Sequence, residues 1–166
     1  VTYDVSDANN NDAVQVIRTV NVEDTTIPVI TLTGDATVTI EVGSTYTDAG
    51  ATAQDNYDGD ITDDIVTVST VDTEAVGTYT VTYDVSDANN NDAVQVIRTV
   101  NVEDTTIPVI TLTGDATVTI EVGSTYADAG ATALDNYDGD ITSSIVTVST
   151  VDASTVGTYT VTYDVS

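Results

Sequence analysis

Carboxylates are the side chains in this sequence whose number and spacing could do chemistry. The segment Asp55-Asn56-Tyr57-Asp58-Gly59-Asp60 holds three, and the segment from Asp87 to Asp92 holds two more beside three asparagines. Both segments recur or have close copies elsewhere in the chain. Carboxylate and amide oxygens are the ligands that Ca²⁺ prefers, and it takes roughly six to eight of them. The residue types therefore favour a hard cation as ligand.

The charge of the chain is extreme and has one sign. Its 166 residues include 28 Asp and Glu, no histidine, and only Arg18 and Arg98 as cations, which gives a net charge of −26. Nucleic acids and anionic membrane surfaces would be repelled by such a surface. No apolar run is long enough for a membrane span. We expect no nucleic-acid partner and no direct membrane insertion.

Catalysis is not indicated. There is no His, Cys or Lys, and the carboxylates are distributed by repeat and do not form one distinct pair. Acid and base catalysis by two carboxylates requires surroundings that push their two pKa values apart. The sequence therefore predicts that the protein is not an enzyme.

An internal repeat sets the domain organisation. The segment Val1 to Ser6 recurs as Val81 to Ser86 and as Val161 to Ser166, so the period is 80 residues. Proline at Pro28 and Pro108, after a polar link, is typical of the start of an edge strand. We therefore predict three parts: the last hairpin of a preceding repeat (1–24), a complete repeat (25–104), and a repeat that lacks its final strand (105–166).

Strand patterns dominate each repeat. Alternating, β-branched segments such as Thr37 to Val42 and Thr78 to Tyr83 are separated by turn residues at short intervals. We expect strands at Pro28 to Thr33, Ala36 to Val42 after a kink at Gly34, Thr45 to Gln54, near Ile65 to Val71, Gly77 to Ser86 and Ala93 to Glu103. Their order predicts an all-β fold of tandem immunoglobulin-like β-sandwich domains.

Tyr79 follows Val76-Gly77-Thr78 in a pattern that resembles a tyrosine corner, where a ring anchors its hydroxyl on nearby backbone. An ordinary half-buried strand tyrosine is the alternative interpretation.

Four segments carry a resemblance to a known family, and they recur in the second copy. They are Asp24 to Leu32 (DTTIPVITL), Thr45 to Ala53 (TYTDAGATA), Asp55 to Thr62 (DNYDGDIT) and Val76 to Tyr83 (VGTYTVTY). In this order they resemble the Ig-like repeats of bacterial surface proteins, relatives of the hyalin-type repeat. The resemblance implies an Ig-like sandwich, a place outside the cell and a role as spacer or adhesive module. The hairpin loop departs from the family, which often has Asp-x-x-Gly-Asn where this chain has Asp87 to Asp92. Asparagine tolerates left-handed backbone, so we expect the turn to persist.

In an Ig-like sandwich the start of the chain, the loop after the second strand and the last hairpin loop share one pole. We therefore predict a calcium site at the pole that borders the preceding repeat, with candidate ligands Glu23, Asp24, Asp55, Asn56, Asp58, Asp60, Asp87 and Asn89. In the second repeat the candidates are Glu103, Asp104, Asp135, Asn136, Asp138 and Asp140, and that site should be incomplete. The alternative is that Asp, Asn and Gly only form solvated turns.

Three functions remain open from the sequence. The first is a structural extender of a large bacterial surface adhesin or extracellular fibre, in which calcium stiffens the junctions between neighbouring repeats of one chain. The second is a filament subunit, in which strand addition joins copies of the chain. The third is a module that binds glycans or another ligand, for which Tyr57 and Tyr137 are the exposed rings.

Overall fold

The structure is a computed structural model that describes residues 1–166, and short strands make up its regular structure. The strands are β1 (Thr2–Tyr3), β2 (Val16–Ile17), β3 (Val29–Leu32), β4 (Thr37–Glu41), β5 (Ala51–Asp55), β6 (Gly59–Asp60), β7 (Val66–Ser69), β8 (Gly77–Asp84), β9 (Val96–Glu103), β10 (Val109–Leu112), β11 (Ala131–Asp135), β12 (Gly139–Asp140), β13 (Val146–Ser149) and β14 (Val161–Asp164). Two 3₁₀ turns, Thr62–Asp64 and Thr142–Ser144, complete the list, and neither is long or apolar enough to cross a membrane. The predicted all-β class is confirmed.

Contacts between residues divide the chain into two compact units. The first contact unit comprises residues 1–34, 49–68 and 82–96, and includes the hairpin β1-β2 and the sheet β3-β5-β6. The second contact unit comprises residues 35–48, 69–81 and 97–166, and includes β4, most of β9 and every strand from β10 onwards.

The predicted kink at Gly34 is present. Before it, β3 pairs with β5 in antiparallel register, and the partners Ile30 and Ala53 are both buried. Gly34 then has φ 78°, a left-handed conformation in which a residue with a Cβ is strained. After it, β4 pairs in parallel register with β9. The glycine thus lets one continuous segment contribute strands to two different sheets.

Strand β9 lies inside the larger sheet, whose order is β4-β9-β8-β7. Its residues Arg98, Val100 and Val102 are buried, as is Val81 on the neighbouring strand β8. Alternate side chains of β9 therefore enter the core, as its period-two pattern predicts.

The predicted strand from Thr45 to Gln54 is too long, because only Ala51–Asp55 forms β5. Two glycines with positive φ, Gly43 at 76° and Gly50 at 78°, enclose the missing part. Between them the hydroxyl of Tyr46 donates to Asp48 at 2.9 Å. The glycines interrupt the extended backbone that the alternating sequence favours.

The tyrosine corner is confirmed in both repeats. The Tyr79 hydroxyl donates to the carbonyl oxygen of Ala75 at 2.9 Å, and that of Tyr159 donates to Thr155 at 3.0 Å. A Cβ added at Gly77 would lie 3.3 Å from the Tyr79 ring, so the glycine gives the ring its place against the backbone.

The second repeat has no strand equivalent to β9, so a comparison of the two repeats shows which residues β9 buries in the first. Residues 117–121, the counterpart of β4, form no strand there, and only β13 and β14 pair in its second sheet. Val122 is 49% exposed, whereas its counterpart Val42 is 7% exposed. A groove remains, and its apolar lining includes Val118, Ile120 and Val161.

Arg98 is the cation of the first repeat, and it lies 1% exposed on β9. Its Nε donates to the Asp35 carbonyl oxygen at 2.9 Å, and its guanidinium forms an ion pair with Asp48. Removal of one member of such a pair leaves the other charge uncompensated, which is costly in a buried place.

We predict that Arg98→Met lowers the free energy of unfolding by about 3 kcal/mol, near the lower end of the usual cost because Asp48 keeps some exposure to water. The matched control is Arg18→Met, since Arg18 occupies the equivalent position in the exposed hairpin β1-β2. Urea denaturation followed by circular dichroism measures both. An equal loss in the two variants would contradict the role of the ion pair.

Asp128, the counterpart of Asp48, has hydroxyl partners instead of an arginine. The Tyr163 hydroxyl lies 2.6 and 2.7 Å from its two carboxylate oxygens, and the Tyr126 hydroxyl lies 3.0 Å from one of them. The hydrogen bond to Asp128, followed by loss of solvation, raises the pKa of Tyr163 to about 12. The same hydrogen bond is the main cause that lowers the pKa of Asp128.

Since the pKa of Tyr163 is higher in the folded chain, its hydrogen bond stabilises the fold fully below pH 10 and is lost as the pH rises through about 12. We predict that Asp128→Asn makes two of the nine tyrosines, Tyr126 and Tyr163, ionise earlier, closer to pH 10, because the hydrogen bond to Asp128 raises the pKa of both. A pH titration of tyrosinate absorbance measures this shift. The exposed variant Asp63→Asn is the control, and a curve for Asp128→Asn that overlays it would refute the assignment.

Candidate metal centre

Four carboxylates converge in the first contact unit. Asp24, Asp55, Asp58 and Asp87 each offer an oxygen, and these oxygens all lie within 4.8 Å of one another. Asp24 precedes β3, Asp55 ends β5, Asp58 lies in the turn that follows, and Asp87 lies in the loop between β8 and β9. We call these four residues the first acidic group. They come from the three segments that the sequence predicts to share a pole.

Asp55 has the least satisfied carboxylate of the group. The residue is 9% exposed, and its Oδ1 accepts hydrogen bonds from the backbone N–H of Tyr57 at 2.7 Å and of Asp58 at 3.0 Å. Its Oδ2 is buried and has no hydrogen-bond partner. A buried, charged oxygen without a partner is costly, and such groups in native proteins call for a bound ion or water. A cation among the four carboxylates would satisfy it.

Asp87 is held by its own loop. Its Oδ1 accepts from the backbone N–H of Asn89 at 2.9 Å and of Asn91 at 2.7 Å, and its Oδ2 accepts from the Asn91 side-chain amide at 2.7 Å. Burial acts to raise the pKa of Asp87, but the hydrogen bonds from Asn91 and Asn89 outweigh it and leave the pKa below its usual value. The carboxylate is therefore fixed in its charged form.

The same loop geometry forms in the exposed hairpin at residues 1–23. Asp7 there accepts from the backbone N–H of Asn9 and Asn11 and from the Asn11 side chain, all at 2.9 Å. Asn10 and Asn90 have φ of 64° and 65°, which confirms that asparagine supplies the left-handed turn. Because the loop forms without a buried environment, its sequence alone fixes the direction of the carboxylate.

Amide donors tie this loop to the rest of the first acidic group. The backbone N–H of Ala88 donates to Asp58 Oδ2 at 2.9 Å, and the Asn89 side chain donates to Asp24 Oδ2 at 3.3 Å. The Asn91 side chain donates to the Asp24 carbonyl oxygen at 3.2 Å. The first two bonds orient the carboxylates of Asp58 and Asp24, as outer hydrogen bonds do for metal ligands.

A second acidic group, Asp104, Asp135 and Asp138, occurs in the second contact unit, again with oxygens within 4.8 Å of one another. Asp135 is 8% exposed and accepts from the backbone N–H of Tyr137 at 2.8 Å and of Asp138 at 3.0 Å. Burial, followed by the charge of Asp135, raises the pKa of Asp104. This group has three carboxylates where the first has four.

The other predicted carboxylate ligands, Asp60, Asp140, Glu23 and Glu103, lie outside these two acidic groups. Asp60 and Asp140 each accept the backbone N–H of the threonine two residues later at 3.0 Å. A hydrogen bond from the side chain of that threonine, followed by the backbone bond, lowers the pKa of both carboxyls. Their oxygens thus hold the 3₁₀ turns. Glu23, Asn56 and Glu103 are exposed. Asn89 contributes its amide to Asp24, and Asn136 donates to Glu41 at 3.4 Å.

Two residues beside the groups were missed from the sequence, Asn91 and Glu41. Asn91 could have been found, since an Asp followed four residues later by an amide is a local loop pattern. The sequence around Glu41 indicates only that this residue ends an alternating strand. Hydrogen bonds from the side chains of Thr105 and Thr106 lower the pKa of Glu41 to about 2.

Comparisons with known proteins agree with the repeat. A family model described as "Bacterial surface protein, Ig-like domain" matches residues 30–102 and again residues 110–166. A curated relative, hyalin of Strongylocentrotus purpuratus, is 32% identical over 143 residues, which is 80% of this chain. The chain spans 12% of the length of that relative.

Two solved structures are similar over part of the chain. A lipoprotein of Bacteroides thetaiotaomicron has 26% identity and a TM-score of 0.43, over 48% of this chain and 39% of its own. A structure of the CBM51-2 domain in complex with GlcNAc and of the INT domains of Clostridium perfringens ZmpB has 23% identity and a TM-score of 0.38, over 54% of this chain and 21% of its own.

Proposed function

Because the chain belongs to the family of bacterial surface protein Ig-like domains, we propose that it is a structural extender, outside the cell, of a large surface adhesin or extracellular fibre. Calcium bound by the acidic groups stiffens the chain where one repeat meets the next. The protein has no catalytic role.

The first acidic group carries the calcium part of this proposal. Each of the four carboxylates offers one oxygen to the cluster, and Asp55 Oδ2 is a buried acceptor that lacks a partner. Mg²⁺ prefers to keep several waters and a strict octahedron, so a cage built mostly from carboxylates suits Ca²⁺ better. Calcium levels outside cells also suit a site of modest affinity.

The near identity of the two repeats supports the extender. Within residues 25–86 and 105–166 the two copies differ at seven positions, all exposed or half-buried and none in an acidic group: 47, 54, 63, 64, 73, 74 and 75 in the numbering of the first copy. A spacer requires length and a stable fold in every copy. It does not require different binding faces.

We predict that calcium raises the thermal unfolding midpoint and that magnesium does so much less. A ligand that binds only the folded state at a hundred times its dissociation constant stabilises by about 2.7 kcal/mol, which is several degrees for a domain of this size. Thermal unfolding is followed by circular dichroism in EDTA, in calcium and in magnesium.

Asp55→Asn sharpens this measurement, because its effect on the melting temperature should differ between EDTA and calcium. In EDTA the variant should melt at the same or a higher temperature, since one of four like charges is gone. In calcium it should lose most of the rise. Asp63→Asn is the control, because Asp63 is exposed and becomes Ser143 in the second repeat. An absent calcium shift, an equal magnesium shift, or an unaltered calcium response in Asp55→Asn would refute the calcium extender.

Assembly by strand addition is a second candidate, favoured by the groove of the second repeat. In the first repeat β9 lies between β4 and β8, and residues 16–23 have the same sequence as β9, Val-Ile-Arg-Thr-Val-Asn-Val-Glu. Residues 16–23 are exposed, so another copy of the chain could place them in the groove, with Arg18 near Asp128. Ligand binding, the third expectation, rests on one exposed loop tyrosine per repeat and is not proposed.

Sedimentation velocity over a wide range of concentrations separates the two candidates. The extender predicts a monomer at every concentration. Strand addition predicts a sedimentation coefficient that increases with concentration. Arg18→Asp should abolish this increase, because that variant would bring a carboxylate next to Asp128. A monomer at all concentrations would rule out assembly of this chain.

A further inference from the structure

Glu41 makes a set of contacts that reaches beyond its own repeat. It ends β4, and its carboxylate accepts hydrogen bonds from the Thr105 hydroxyl at 2.6 Å and the Thr106 hydroxyl at 2.8 Å. The backbone N–H groups of the same two threonines donate to it at 3.1 to 3.3 Å. The Asn136 amide donates at 3.4 Å. Every donor lies in the following repeat (105–166), and all these residues belong to the second contact unit.

The register of β4 explains how Glu41 reaches these donors. In the parallel pair with β9, Glu41 lies level with Glu103, the last residue of β9. The chain that leaves β9 therefore passes the Glu41 side chain at Thr105 and Thr106. Without the β4-β9 pair, a contact between residues 64 positions apart would have no geometric basis.

An anion bound by hydroxyl and amide donors suits this protein for an electrostatic reason. Only an ionised carboxylate can accept from so many donors at once, and such charge-assisted bonds are stronger than neutral ones. Ion pairs between repeats are scarcely available, since the chain has two arginines and no lysine. Hydroxyl donors let a strongly acidic chain form an attractive contact without a cation.

We propose that Glu41 is a clamp between consecutive repeats: its carboxylate binds the Thr-Thr pair that begins the next repeat and holds that repeat in one orientation without a metal ion. The clamp adds to the calcium extender and does not depend on it. It also positions Asp104, the residue immediately before the Thr-Thr pair, for the second acidic group.

The repeat supplies matched controls. Glu121 is the copy of Glu41 in the second repeat, and these 166 residues include no Thr-Thr pair 64 and 65 positions after it. Thr25 and Thr26 are the copies of Thr105 and Thr106, and no glutamate lies 64 residues before Thr25 in this chain. Each substitution can therefore be made at a residue of the proposed clamp and, as a control, at the copy of that residue that makes no such contact.

The test is the distance distribution between two spin labels, measured by pulsed electron paramagnetic resonance. The chain has no cysteine, so Ser69→Cys and Ser149→Cys give one exposed label site on equivalent strands of each repeat. In EDTA we expect one narrow distribution for this doubly labelled reference chain. Glu41→Gln should widen it at least twofold, and so should the double variant Thr105→Val, Thr106→Val.

Glu121→Gln and the double variant Thr25→Val, Thr26→Val should keep the narrow distribution. The Thr105, Thr106 variant decides the result if Glu41→Gln also unfolds its own repeat, because those threonines lie outside every strand. A Glu41→Gln distribution as narrow as the reference would overturn the clamp, and so would equal widening in Glu121→Gln. A reference distribution that narrows only when calcium is added would overturn the clamp and leave the calcium extender standing. A failure of calcium to raise the melting temperature would refute the calcium extender alone.

Discussion

Negative charge without counter-charge is the constraint on which the rest of this structure depends. The chain carries a net charge of −26 and contains only two arginines and no lysine. Most of its carboxylates must therefore find neutral donors. Asp55, Asp87 and Asp135 all accept backbone N–H groups of their own loops, and Glu41 accepts the hydroxyls of a neighbouring repeat. Loop conformation, contacts between repeats and the acidic groups all follow from the way these acceptors are satisfied.

The two copies of one sequence separate local from long-range causes. The turn that holds Asp135 is the same as the turn that holds Asp55, because each is closed by bonds two and three residues long. The counterpart of β4, by contrast, forms no strand in the second repeat. Asp128 also binds tyrosine hydroxyls where Asp48 binds Arg98. The turns therefore form without a strand equivalent to β9, whereas the four-stranded sheet of the first repeat has no complete equivalent in the second.

This difference explains what could be predicted from the sequence. The strands, the kink at Gly34 and the convergence of Asp24, Asp55, Asp58 and Asp87 follow from alternation, glycine and strand order, all of which are visible in the sequence. The false extension of β5 arose because an alternating pattern does not reveal a positive φ at Gly50. Glu41 was hidden for another reason: its contacts depend on the parallel register of two strands some 60 residues apart, which no local pattern records.

The place of β9 in the sheet also governs the order of events as the chain is made. β9 is the last strand of its repeat, yet it lies between β4 and β8 and carries the one buried arginine. Contacts of such long sequence separation form slowly and late. During synthesis from the amino end, the place between β4 and β8 would therefore stay open until the eight residues of β9 have been added. In a tandem array of such repeats, open slots of the same sequence in neighbouring repeats would compete for each late strand, which is the usual route to strand exchange between repeats.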